Sequence, residues 1–295
     1  MNRLLVTGAS GFLGWNICTV TSKTWKVFGT AFSTPATIPN VNIVNVDLTD
    51  FRALKRLFHD VRPDAVIHAA AAANPNFCQT HRTESYKINV DTSFNIAGLC
   101  ADGNIPCVFV STDLVFDGLN PPYRETDPVC PVNVYGEQKV SAEEKIRKSF
   151  PRTVVCRMPL MFGHSGTTST SFLQPMLRAM RKGRELHLFT DEFRTPISAK
   201  TAVSGLLLAL RKTPDILHLG GNERISRYDF GRLVAGVFRI ENAKLTPCRE
   251  KDIVMAAPRP PDVSLDNSKA SRLGFSPLPL EKELQELKDF PDICL

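Results

Sequence analysis

The chain reads as an α/β protein: a doubly wound parallel sheet followed by a smaller C-terminal lobe that binds substrate. Three observations carry that expectation. Near-continuous apolar runs alternate with helical patterns through the first half, which indicates strands buried on both faces of a parallel sheet. The turn Thr7-Gly8-x-x-Gly11-x-x-Gly14 stands between the first apolar run and the first helical pattern. Tyr135 and Lys139 follow Thr112, which ends the fifth apolar run.

The elements follow in order. Residues 4–7 form a strand that enters the glycine turn, and a helix continues to about residue 23. Strands at 27–32 and 41–46 come next. Phe51, Leu54, Leu57 and Phe58 recur at helical spacing. A fourth strand covers 65–70, a helix about 84–101, a fifth strand 106–110, a helix 134–149 and a sixth strand 154–157. Right-handed crossovers between such strands give a dinucleotide-type (Rossmann) sheet, with its domain at 1–158. Beyond residue 159 the pattern is less regular. It has a Gly/Ser/Thr-rich loop at 163–171, a helix at 172–182, a short strand at 186–189, a helix at 201–211 and a strand at 216–219. The segment 159–295 reads mainly as the substrate lobe, with about 198–220 returning to the first domain. The tail carries Ala257-Pro-Arg-Pro-Pro-Asp262 and then short helices.

Composition narrows the function classes. A chain of 295 residues with 43% hydrophobic and 22% charged residues suits a soluble protein with a sizeable core. No apolar run is long enough to span a bilayer, and the start of the chain carries no secretory pattern. The net charge of +6 is scattered, without a dense basic run interleaved with aromatics, so nucleic acid is not an expected partner. An anionic small molecule suits that charge equally well. The eight cysteines contain no Cys-x-x-Cys pair. No metal site is expected, and reduced thiols in a cytoplasm are the default.

The glycine turn has the context that phosphate binding requires. Glycines allow close backbone approach, and a helix N-terminus offers free N–H groups to a pyrophosphate. Gly8, Ser10, Gly11, Phe12, Leu13 and Gly14 are the candidates. Cofactor choice rests on the end of the second strand, Thr30-Ala-Phe-Ser33-Thr34. A carboxylate there would hold a ribose 2′-hydroxyl and favour NAD. None is present, and the hydroxyls can donate to a 2′-phosphate, so NADP is preferred and NAD is possible. Asp47 is placed to meet adenine or to serve as an N-terminal helix acid. Thr112 sits at a strand's carboxyl end, where ligands bind in such sheets. Tyr135 and Lys139 share a helix face. An ammonium beside a phenol favours the phenolate, so Lys139 is expected to lower the Tyr135 pKa. Tyr135 then exchanges a proton with a carbonyl oxygen while hydride moves at carbon.

Together these residues resemble an extended short-chain dehydrogenase/reductase over almost the whole chain. Gly8/Gly11/Gly14, Ala69-Ala70-Ala71, Asn89 in Lys-Ile-Asn-Val, Thr112 and Tyr135-x-x-x-Lys139 occur in that family's order. More narrowly, Val110-Ser-Thr-Asp-Leu-Val-Phe-Asp-Gly118, and Arg259-Pro-Pro-Asp-Val-Ser-Leu-Asp-Asn-Ser-Lys269 with Gly274-Phe, resemble the dTDP-4-dehydrorhamnose reductases. The resemblance implies reduction of the 4-keto group of a nucleotide-linked deoxy sugar, with Thr112, Tyr135 and Lys139 catalytic. Leu48, Ala69, Ala70, Ala71, Asn89 and Met158 join the implied cofactor contacts. Asn74, Asp113, Met158, Phe162, His164, Arg194 and Arg259 are candidates for the substrate pocket. Leu114 stands where the subfamily has Tyr, so a polar contact near the sugar is lost. Two alternatives stay open: a nucleotide-sugar epimerase, and a non-catalytic cofactor-binding regulatory subunit, since this subfamily includes one of methionine adenosyltransferase. A homodimer is also open, because the sequence does not decide the oligomeric state.

Overall fold

A computed structural model describes residues 1–166, 169, 171–212 and 215–288. Its centre is a seven-stranded, all-parallel sheet. The strands are β1 (Arg3–Thr7), β2 (Lys26–Ala31), β3 (Val41–Asn45), β4 (Ala65–His68), β5 (Cys107–Thr112) and β6 (Val154–Met158), joined by a late strand, Ile216–His218. Spatially the late strand lies beside β6, and the order continues β5, β4, β1, β2, β3. Chain direction across the sheet reverses between β1 and β4. Such a switch point opens a crevice at the strands' carboxyl ends.

Helices α1 (Phe12–Thr21), α2 (Phe51–Val61), α3 (Pro75–Thr80), α4 (Arg82–Tyr86), α5 (Thr92–Asp102) and α6 (Val134–Ser149) belong to the first half. Local chemistry sets their ends. The Asp50 carboxylate accepts from Arg52 and Ala53 N–H and starts α2, satisfying amides that have no partner within the helix. Leu54, Leu57, Phe58 and Val61 of α2 are buried in a core with Leu5, Val66 and Ile96. Asn133 caps α6 by accepting from Gly136 N–H at 2.9 Å. The opposite face of the sheet buries Leu4, Val6 and Ile67 against Ile17 of α1 and Leu206 of the later helix 199–212.

The single helix expected over 84–101 is interrupted. α4 ends at Tyr86, a π-helical turn spans Lys87–Asp91, and α5 follows. The amide and the hydroxyl of Thr92 both bond the Lys87 carbonyl. Such wide turns insert one residue without ending the helix, so hydrophobic period does not reveal them.

The second half adds β7 (Met161–Phe162), α7 (Leu173–Arg181), β8 (Leu186–Phe189), β9 (Phe193–Arg194), β10 (Ile197–Ser198), α8 (Ala199–Lys212), β11 (Ile216–His218), β12 (Ile225–Ser226), α9 (Arg227–Val237), β13 (Leu245–Cys248), α10 (Ser268–Arg272) and α11 (Leu280–Glu286). Three two-stranded sheets pair β10 with β7, β12 with β9, and β13 with β8. Phe162, Leu177, Phe230 and Leu284 share this lobe's core. The expected loop at 163–171 lies partly outside the described residues, because 167, 168 and 170 do. Helix α9 and strand β13 carry no expectation from sequence. Pro247 stands within β13, and proline argues against a strand except at an edge. Cys18, Cys78, Cys100, Cys107, Cys130, Cys156 and Cys248 are free thiols, and Cys294 lies outside the described residues. Among the described residues no helix is long and apolar enough to cross a membrane, and no group of side chains could hold a metal ion.

Candidate active site

Two adjoining clefts lie over the switch point. One, of about 450 Å³, is lined by Gly8, Ser10, Gly11, Ser33, Asp47, Leu48, Ala69, Ala70 and Ala71, and also by Glu84 and Lys87. The other, of about 560 Å³, begins at Gly8, Gly11, Phe12, Leu13 and Gly14 and runs past Thr112, Asp113, Tyr135 and Met158 to Arg194 and Arg259. They share Gly8, Gly11, Ala69 and Ala71, so they form one continuous crevice.

The glycine turn fits a dinucleotide pyrophosphate. Gly8 has φ +73°, and a Cβ there would lie 2.8 Å from Ala70 Cα. A Cβ on Gly14 would lie 2.0 Å from the Gly8 carbonyl oxygen. Gly11 caps α1 without a side-chain hydrogen bond, and no acid stands in the first turn. The first amides of α1 therefore face the crevice without a protein anion competing for them.

A buried relay holds this turn. Thr7 Oγ1 accepts from the Ala69 and Ala70 amides, each at 3.1 Å, and bonds His68 Nδ1 at 2.6 Å. His68 Nε2 bonds Ser93 Oγ at 2.9 Å, while Ser93 donates to the Asn89 carbonyl at 2.8 Å. Ser93 has one proton and spends it on that carbonyl. His68 Nε2 must therefore donate, and Nδ1 must accept from Thr7. Burial, followed by repulsion from Lys139, pushes His68 down to about 3, consistent with a neutral ring.

Thr112 is the last residue of β5, and its hydroxyl donates to Asp113 Oδ1 at 3.2 Å while accepting from Leu114 N–H at 3.2 Å. Tyr135 is 8% exposed and lines the same crevice. Lys139 is 1% exposed and is not among the lining side chains. Its Nζ donates to the Val110 carbonyl at 2.7 Å and stands 4.1 Å from the centre of the Phe109 ring. The expected lowering of the Tyr135 pKa is not found. Burial pushes the phenol up, Cys78 and Asp113 add to the rise, and a hydrogen bond with Thr112 opposes it. Burial pushes Lys139 down to about 7 against Glu143 and Cys78. For both side chains loss of hydration is the largest influence.

Several sequence candidates sit elsewhere. Asn89 lines neither cleft. Its side chain accepts from the Ala72 amide at 2.8 Å and donates to Gln138 Oε1 at 2.8 Å, tying the alanine loop to α6. Asn74 caps α3, accepting from Asn76 and Phe77 N–H. Phe162 is fully buried against Phe230, with ring centres 5.4 Å apart. His164 packs edge-on to Trp15 with ring centres 4.9 Å apart. Asp47 does line the first cleft; its Oδ1 accepts from the amide and hydroxyl of Thr49 at 2.9 and 2.8 Å, and Asp50 takes the helix cap instead.

The far end of the crevice holds a charge cluster that sequence reading met only in part. Arg194 Nε lies 3.5 Å from Asp113 Oδ2, and Arg194 Nη2 lies 3.2 Å from Glu192 Oε1. Arg227 Nε lies 3.6 Å from the same Glu192 oxygen. Glu192 and Arg227 line the crevice and were missed. Glu192 carries no sequence signal; Arg227 has one in Ser226-x-x-Asp229, a helix-start pattern: Ser226 Oγ accepts from Asp229 N–H at 3.0 Å and begins α9 with Arg227. Burial pushes Asp113 up to about 6, opposed chiefly by Arg194.

A model of the RmlD substrate binding domain matches residues 1–290. Methionine adenosyltransferase 2 subunit beta of Xenopus laevis is 31% identical over 282 residues, covering 92% of this chain and 83% of the relative. The spore coat polysaccharide biosynthesis protein SpsK of Bacillus subtilis is 27% identical, covering 97% of this chain and 96% of the relative. The structure of a dTDP-4-dehydrorhamnose reductase from Clostridium acetobutylicum superimposes with a TM-score of 0.85 at 25% identity, covering 98% of this chain and 99% of that one. With its seven-stranded parallel sheet and its continuous crevice, the chain belongs to the RmlD substrate binding domain family.

Proposed function

We propose that the protein is an NAD(P)H-dependent reductase of a carbonyl group, acting on the 4-keto group of a nucleotide-linked deoxy sugar. The observation that carries this reading is the meeting of Thr112 and Tyr135 in one crevice that continues into the glycine turn. Gly8, Gly11 and the first amides of α1 receive the pyrophosphate. Ser33 stands at the ribose end without a carboxylate from β2 beside it, which supports NADP over NAD. When bound, the cofactor supplies hydride to the carbonyl carbon. Thr112 holds the carbonyl oxygen through its hydroxyl. Tyr135, kept protonated by burial, gives its phenolic proton to that oxygen. Lys139 stabilises the phenolate left behind from its place on Val110. Arg194, Arg227 and Arg259 outnumber Asp113 and Glu192 at the far end, which suits an anionic sugar nucleotide.

The test is NADPH oxidation with a panel of 4-keto-6-deoxy nucleotide sugars. Tyr135→Phe should lower kcat/KM by roughly 10²–10⁴-fold, and equal turnover in both proteins would sink the mechanism. A second reading has its own support. The methionine adenosyltransferase subunit is 31% identical, which fits a non-catalytic regulatory subunit that keeps the dinucleotide crevice. Dinucleotide binding without turnover on any panel member, with co-purification of a methionine adenosyltransferase catalytic subunit, would favour that reading.

A further inference from the structure

Asp113 occupies an unusual position for a carboxylate. It is 4% exposed, lines the crevice directly after Thr112, and its Oδ2 is buried without a hydrogen-bond partner. An orphaned carboxylate oxygen is costly to bury, and Arg194 relieves it only in part, by charge and without a hydrogen bond. That guanidinium lies 3.5 Å away through Nε. Its Nη1 donates to the Phe193 and Pro260 carbonyls at 3.1 and 3.4 Å, and its Nη2 faces Glu192 at 3.2 Å.

The other oxygen is little better supplied. Among the described residues Asp113 Oδ1 accepts only from Thr112, at 3.2 Å. Thr112 has one proton. When it turns that proton to a substrate carbonyl, Oδ1 loses its donor as well. A donor arriving with the substrate would then meet a carboxylate with two unfilled acceptor positions, next to the carbonyl oxygen that Thr112 holds. The nearest substrate group able to supply one is a hydroxyl on the carbon beside the carbonyl. Leu114, which follows, is apolar, 9% exposed and lines the same wall. It offers such a hydroxyl no competing partner from its side chain.

We propose that Asp113 is a specificity residue that accepts a hydrogen bond from a hydroxyl adjacent to the reacting carbonyl, so the site selects α-hydroxy ketones over ketones that lack the hydroxyl. The proposal rests on the reductase reading and narrows its substrate class. Protonation weakens the acceptor, and burial places that transition at about 6 with Arg194 and Arg227 opposing the rise and Glu192 adding to it.

The test compares NADPH oxidation with a nucleotide-linked 4-keto-6-deoxyhexose and with its 3-deoxy counterpart. Wild type should favour the 3-hydroxy ketone by about 10²-fold in kcat/KM, as expected for a hydrogen bond to a buried charge. Asp113→Asn keeps an acceptor for Thr112 and should bring the ratio to within about threefold, a loss of roughly 2 kcal/mol of discrimination. Unchanged NADP⁺ affinity by calorimetry shows that the variant is folded. Equal use of both ketones by wild type, or an undiminished ratio in Asp113→Asn, overturns the proposal while leaving the reductase reading intact. NADP⁺ binding with no turnover of either ketone overturns the reductase reading and this proposal with it.

Discussion

A buried ammonium one helical turn from a buried phenol is a pair whose charges depend first on hydration. The Lys139 ammonium has one carbonyl partner and an aromatic face, and burial brings it to about 7. Its folded value lies below its unfolded one, so the unfolded chain binds more protons between about 7 and the ordinary lysine value of 10.5. Stability therefore rises with pH across that window. Activity should move the other way. If the charged lysine is needed to stabilise the Tyr135 phenolate, kcat/KM falls as pH rises through about 7. The groups acting on Lys139 are Glu143 and Cys78, with His68 neutral nearby. A Lys139→Arg variant, which keeps its charge, should show a flatter kcat/KM–pH profile than wild type. A flat wild-type profile to pH ~9 would contradict this role for Lys139. Tyr135, Lys139 and Thr112 were legible because each carries its chemistry in its residue type and spacing. The direction of their pKa shifts was not, because burial is a property of the folded chain.

Elements position these side chains, and the glycine turn is the tightest of the positioning devices. Gly14 lets α1 pack against the Gly8 carbonyl, which a Cβ would approach to 2.0 Å. Gly14→Ala must shift the turn and with it the first amides of α1. We expect dinucleotide affinity, read by calorimetry, to fall by roughly tenfold or more, equivalent to about 1.4 kcal/mol. Unchanged affinity would show that this turn does not hold the pyrophosphate. The π-helical turn at Lys87–Asp91, whose Lys87 lines the first cleft, does comparable work. It carries Asn89, which grips Ala72 and Gln138. Asn89 belongs to the family's motif order, but its job in this fold is to hold the alanine loop. The strands and long helices of the first half could be read from their periods. Two-residue strands such as β9 and β12 have no period to read, and the helix α9 between Arg227 and Val237 was overlooked although Ser226 and Asp229 mark its start.

At the scale of the molecule, the crevice is a seam between distant parts of the chain. Its walls run from Gly8 in the first turn to Arg259 near the end. The glycine-turn end comes from neighbouring strand ends of one sheet, where this fold class places a ligand crevice. The far end is assembled from Asp113 after β5, Glu192 and Arg194 at β9, and Arg227 opening α9. No local pattern relates those residues, and only tertiary packing brings Glu192 and Arg227 to Asp113. Such an arrangement makes hydride delivery the property that every part must share. The most direct measurement follows the label from NADPH deuterated on the transferred position into a 4-keto-6-deoxy nucleotide sugar. A reductase places deuterium on the carbon that carried the keto group, in wild type and far more slowly in Tyr135→Phe. Product without deuterium at that carbon, or no product while NADPH binds, would contradict the account.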